Sequence, residues 1–151
     1  MLIGNVGTGK SYMASAIANA LIEKGVKVKF TSFIEITNDI FSASDKTKYV
    51  KSLNKYDLLI IDDVGTERNT EYTLENIYWV IDERVSEGKP LIITTNTDID
   101  KKENDENFNR RRINSRIRNV CIPVDIPNYN IREIMSKKHN ETCAEIFWNG
   151  G

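Results

Sequence analysis

Eight residues near the amino end, Gly4-Asn5-Val6-Gly7-Thr8-Gly9-Lys10-Ser11, carry the first recognisable chemistry of this sequence. They fit the spacing G-x-x-x-x-G-K-[S/T]. Glycines so placed let a loop turn its backbone N–H groups toward one point, and a helix that starts directly after the loop adds its positive dipole end there. The ligand for such a cradle is a polyphosphate. Lys10 would neutralise β- and γ-phosphates and Ser11 would offer a hydroxyl to Mg²⁺, so the cofactor-binding set runs from Gly4 through Ser11 to Tyr12. The plainer alternative is a glycine-rich turn with an exposed lysine.

The second constellation is Leu58-Leu59-Ile60-Ile61-Asp62-Asp63, an apolar run that ends in two acids. Asp62 would hold Mg²⁺ through its water shell, and Asp63 would orient or deprotonate an attacking water. Buried strands often end in acidic turn residues, so the pattern draws its meaning from the phosphate loop ahead of it. Asn96 follows another apolar run, Leu91 to Thr95, at the edge where ligands of parallel sheets bind. It could position water against a γ-phosphate or simply form a turn. Arg112 and Arg116, four apart, share one helical face. They are either a solvated, phosphate-attracting patch or include an arginine that reaches a neighbouring subunit's nucleotide.

Elements able to hold these groups alternate along the chain. Met1 to Ile3 reads as the end of a strand entering the glycine loop. Apolar residues at Met13, Ile17, Leu21 and at Ala14, Ala18, Ile22 predict a helix over Lys10–Lys24 with Gly25 as its stop. A strand is expected at Val26–Phe30, helices at Phe33–Phe41 and Tyr49–Leu53, and a doubly covered strand at Leu58–Ile61. Tyr72–Val85 reads as an amphipathic helix, Leu91–Ile93 as a buried strand and Asp98–Asn107 as a polar loop. A basic helix from Phe108 to Arg118 then leads into a last strand, Val120–Val124. This alternation implies a parallel sheet between helical layers, a three-layer α/β/α fold.

Composition narrows the class. The 151 residues suffice for one domain, with 40% apolar and 28% charged residues and a formal net charge of −1. No global positive field draws the chain to nucleic acid or membrane, so any such binding must be local. No apolar run approaches the roughly 20 residues of a membrane span. Cys121 and Cys143 are isolated, which makes a zinc or disulfide framework unexpected and a reducing cytoplasm the default compartment. The single histidine, His139, lies in a polar tail and does not suit a Ser-His-Asp hydrolase.

The ordered set LLIIDDVGTE, ITTN, RINSR and IPNYNIRE behind the glycine loop resembles the AAA+ ATPases of the DnaC/DnaI helicase-loader group and is similar to the related IstB transposition helpers. The likeness covers roughly Met1–Glu133. It implies an AAA+ P-loop NTPase with a parallel five-stranded sheet in the order 5-1-4-3-2, with Asp62 and Asp63 as its Walker B acids. By resemblance Asn96 matches sensor 1, Arg116 the arginine finger, Arg112 its companion and Arg132 a sensor-2-like arginine. Phe41, Thr70 and Tyr72 fall where loaders contact single-stranded DNA, on which aromatic rings stack without sequence readout. Residues such as Phe41 and Tyr72 are more often part of a core than DNA contacts.

The resemblance further implies ATP and Mg²⁺ as cofactors, self-assembly into an oligomer, and a replicative helicase and single-stranded DNA as partners. Many AAA+ proteins carry Glu where this chain has Asp63, whose shorter side chain implies slow, switch-like hydrolysis. The chain begins almost at the loop, so the expectation is an N-terminally truncated member with residues 1–138 as the ATPase core and 139–151 as a tail. No guanine-reading NKxD motif appears, which favours ATP. The alternatives are an IstB-like transposition helper, a nucleotide- or DNA-binding module without turnover, and, more remotely, a small-molecule kinase.

Overall fold

The computed structural model describes residues 1–64, 71–96 and 108–132. Thr70, the expected loop 98–107 and the tail from 133 onward lie outside the described residues. The elements are β1 (Leu2–Ile3), α1 (Lys10–Ile22), β2 (Val28–Ser32), α2 (Phe33–Ser42), α3 (Lys46–Ser52), β3 (Leu58–Asp62), α4 (Glu71–Ser86), β4 (Leu91–Thr95), α5 (Phe108–Val120) and β5 (Val124–Asp125), with a 3₁₀ turn at Leu53–Lys55. The five strands pair in the order β2-β3-β4-β1-β5, which is the expected 5-1-4-3-2 read from the other edge, and every pairing is parallel.

Alternation of side chains along the strands creates two cores. Leu59, Ile61 and Ile93 face the layer of α2 to α5, where they meet Ile36, Ile40, Leu74, Ile77, Ile81 and Ile117. Leu58, Ile60 and Leu2 face the opposite layer, against Ala14 and Ala18 of α1. Both faces of β3 are therefore covered, as its unbroken apolar run predicts. Each fully buried Ile or Leu contributes roughly 1.5–3 kcal/mol.

Several element bounds differ from the sequence expectation, each for a local reason. Helix α1 stops at Ile22 because Gly25, at φ +81°, turns the chain back, and the Val26 N–H then bonds Leu21 O at 3.1 Å. That turn delays β2 to Val28. The buried face of α1 is also narrower than its apolar spacing suggests: Ala14 and Ala18 are buried, whereas Met13 and Ile22 are exposed. Helix α3 starts at Lys46, ahead of the expected Tyr49, because the Asp45 carboxylate caps it by accepting from Lys48 N–H at 2.9 Å. Ser32 and Glu35 form a reciprocal capping box that ends β2 and starts α2. The expected strand Val120–Val124 is corrected: Cys121 N–H bonds Ile117 O at 2.8 Å, prolonging the turn of α5, and Pro123 has no N–H to give a ladder. The Met1 ammonium donates to Ile122 O at 2.7 Å, and regular pairing begins where Val124 N–H reaches Met1 O at 2.8 Å.

Candidate functional site

Strand β1 is two residues long and delivers the chain into the glycine loop at the carboxyl edge of the sheet. Gly4 N–H bonds Thr95 O at 3.3 Å, tying the loop entrance to β4. Gly7 and Gly9 stand at φ +83° and +90°, in the left-handed region that residues with a Cβ seldom occupy. Gly9 caps α1, so the first N–H groups of that helix open into the loop. The Thr8 hydroxyl, inside the loop, donates to Asn5 O at 2.8 Å.

Lys10 is only 6% exposed and donates from Nζ to Gly4 O at 2.9 Å and Asn5 O at 2.8 Å. An ammonium has three donors, so these bonds aim it and leave a third for an incoming phosphate. Burial pulls the Lys10 pKa below its ordinary value; Asp63 and Asp62 oppose that pull, and Arg132 adds to it. A ligand carrying several negative charges would complete this partly compensated site.

The segment after β5 closes against the loop. Asn5 Nδ2 donates to Asn128 Oδ1 at 2.8 Å, and Arg132 N–H bonds Gly7 O at 3.4 Å. A Cβ on Gly7 would run into the Asn130 amide, and one on Gly9 would come within 2.9 Å of Ile131 Cδ1. Both glycines are thus required by φ, and at Gly7 an added Cβ would also force the Asn130 amide aside.

The two acids leave the tip of β3 differently. Asp62 ends the strand, and its Oδ1 accepts the proton of the Thr94 hydroxyl at 2.5 Å. Asp63 adopts φ +57°, the one described non-glycine residue with positive φ. That turn is held from β4: Asp63 N–H donates to Thr94 Oγ1 at 2.9 Å, Val64 N–H to Thr94 O at 2.9 Å, and Thr95 Oγ1 to Val64 O at 2.7 Å. Sequence reasoning passed over Thr94. Its only signal was its place in ITTN, one step from the registered pair Ile61 and Ile93 and therefore beside Asp62.

A hollow of about 780 Å³ gathers Val6, Gly7, Gly9, Lys10, Ser11, Tyr12, Asp63, Asn96 and Arg132 from the expected set, together with Ile131. Its size is that of a small-molecule site. Gly4, Asn5 and Thr8 shape the loop, and Asp62 stands at the strand tip beside Asp63. Among the described residues no cluster of three or more His, Cys, Asp or Glu side chains could hold a metal unaided. A Ser11 hydroxyl and one carboxylate suit Mg²⁺, which is usually held by one or two protein oxygens together with phosphates and water.

Other expected residues lie elsewhere. Arg116, on α5, lines a separate hollow of about 470 Å³ with Tyr78, Arg111 and Arg112. Its Nη2 pairs with Asp82 Oδ1 at 2.8 Å, and the Arg112 guanidinium sits 4.4 Å from the Tyr78 ring centroid. Phe41 is 76% exposed and Tyr72 40% exposed, so neither is a core residue. Lys46 Nζ donates to the Tyr72 hydroxyl at 3.1 Å, and that contact draws the phenol pKa down.

A phosphate-type loop after β1, two acids at the tip of β3 and a polar amide directly after β4, the strand between those two, define an AAA+ P-loop NTPase domain. The chain belongs to the family of IstB-like ATP binding proteins, whose profile matches residues 1–132. It is 30% identical over 103 residues to the replicative helicase loader DnaC of Escherichia coli (strain K12), covering 65% of this chain and 42% of DnaC. It is 29% identical over 99 residues to Rv3427c of Mycobacterium tuberculosis, a protein named for ATP binding and an insertion sequence, covering 64% of this chain and 39% of that one. The chain thus spans about two fifths of these relatives' length. The crystal structure of a DnaC helicase loader aligns with a TM-score of 0.71 and 25% identity over 83% of this chain and 76% of that one. That of DnaI gives a TM-score of 0.70 and 25% identity over 86% and 70%.

Proposed function

We propose that this chain binds Mg²⁺-ATP and hydrolyses it slowly, in an assembly that serves the loading of a replicative helicase onto DNA. The observation that carries the reading is the single hollow in which Lys10 and Ser11 meet Asp63, Asn96 and Arg132. In this reading the loop amides and Lys10 hold the β- and γ-phosphates, and Arg132 approaches the phosphates from the segment after β5. Ser11 and Asp62 would hold Mg²⁺, which when bound draws off charge that builds on the phosphates. Asp63 takes a proton from, or orients, the attacking water, and Asn96 fixes that water from the other side. The shorter reach of Asp63 compared with a glutamate keeps turnover slow.

Arg116 is absent from this hollow, which fits an arginine that serves a neighbouring subunit's nucleotide. Its pairing with Asp82 joins two half-exposed groups and is weak enough to exchange. Phe41, Thr70 and Tyr72 are proposed to meet single-stranded DNA in the assembly; the exposure of Phe41 and Tyr72 supports the first and last. No described helix is long and apolar enough to cross a membrane; the cytoplasm is the proposed compartment. Residues 1–138 are taken as the ATPase core and 139–151 as a tail.

A transposition helper is the second reading, favoured by the IstB-like profile and the insertion-sequence relative. Phosphate release from Mg²⁺-ATP, with Lys10→Ala as control, tests the shared activity. Turnover above that control is expected, and turnover equal to it would leave only a binding module. Pull-down with a replicative helicase or with a transposase then separates the two partners.

A further inference from the structure

Thr94 is fully buried, and its hydroxyl and its carbonyl both serve the turn that carries the two acids. Its hydroxyl gives its proton to Asp62 Oδ1 and takes the Asp63 N–H, while its carbonyl takes the Val64 N–H. Three consecutive residues, Asp62 at the end of β3 and Asp63 and Val64 after it, are therefore fixed by one side chain and one peptide of β4. A left-handed aspartate is a strained conformation that persists only where its surroundings enforce it. The bond to Oδ1 leaves the other Asp62 oxygen for the metal's water shell.

We infer that Thr94 is a positioning residue for ATP hydrolysis: its hydroxyl sets the rotation of the Asp62 carboxylate and its two backbone-directed contacts turn Asp63 into the hollow. The inference rests on the reading of this hollow as a Mg²⁺-ATPase site. Asn96 follows directly after β4, two residues beyond Thr94, so the end of β4 sets the amide and the acids together. A merely structural hydroxyl would influence stability, whereas this one controls the chemical step more than nucleotide binding.

Thr94→Val keeps the shape and removes the hydroxyl; Thr94→Ser keeps the hydroxyl. In the full chain, Thr94→Val is expected to lower kcat for Mg²⁺-ATP at least about tenfold, the scale of losing a hydrogen bond to a charged group. KM for ATP should stay within about twofold, because ground-state binding is intact. In a titration of a bound fluorescent ATP analogue, read without turnover, the Mg²⁺ concentration for half-maximal signal should rise, and Thr94→Ser should restore that value and most of kcat. Thr94→Ala provides the same comparison if the valine variant melts early. Wild-type kcat in both hydroxyl-free variants, a loss carried by KM, or equal damage in Thr94→Ser would overturn the inference. Absence of turnover in the wild type would instead overturn the ATPase reading and this inference with it.

Discussion

Gly7 and Lys10 do different work within the loop. Lys10 carries charge, and its two bonds to loop carbonyls hold that charge in a fixed direction. Gly7 carries no group at all; it lets the chain take φ +83° with the Asn130 amide against its α-carbon. A Cβ there meets both strain and a clash, and the left-handed strain alone amounts to about 1–2 kcal/mol. Gly7→Ala is accordingly expected to weaken ATP binding by about tenfold or more in a fluorescence titration. Gly25→Ala is the internal control. Gly25 has a similar φ of +81° but nothing within 4 Å of the added methyl, so it should lower stability and leave affinity unchanged.

Among the elements, α4 shows how a charged residue can hold a sheet together. Arg84 is buried, and its guanidinium donates to Leu53 O at 3.2 Å, Tyr56 O at 2.9 Å, Asp57 O at 3.3 Å and Pro90 O at 2.6 Å. These carbonyls precede β3 and β4, so one side chain joins the amino ends of the strands whose other ends carry Asp62 and Asn96. Burial draws the Arg84 pKa down, with Asp57 opposing. Arg84→Ala strands these carbonyls, each at about 1–3 kcal/mol where it stays buried, and is expected to reduce unfolding free energy by at least about 3 kcal/mol, read by urea denaturation. Nothing in the sequence distinguishes this arginine from the solvated charges around it, because the requirement comes from chain ends that meet only in the fold. The loop and β3 were legible for the opposite reason: glycine spacing and a doubly apolar run are local consequences of φ and of burial on both faces. Val120 to Val124 misled because its unbroken apolar run mimics a buried strand, whereas Pro123 and the final α5 hydrogen bond settle the local geometry. Thr94 stayed hidden because a threonine in a strand has ordinary β propensity, and its role depends on the register with β3.

For the whole molecule, the decisive feature is that the expected residues divide between two places. The loop, Asp63, Asn96 and Arg132 converge on one hollow, and Arg116 stands on α5 in another, with Asp82. If Arg116 serves a neighbour, its loss should spare ATP binding and suppress hydrolysis only where the chain assembles. Arg116→Ala is therefore expected to match wild type in nucleotide affinity but to lack the rise in turnover per chain that wild type shows with protein concentration. An equal loss at high dilution would contradict action between subunits. The most direct test of the central claim is a titration of wild type and Lys10→Ala with a fluorescent ATP analogue in the presence of Mg²⁺. Saturable binding by wild type, weakened at least about tenfold in the variant, is the predicted result; unchanged affinity without the Lys10 ammonium would contradict it.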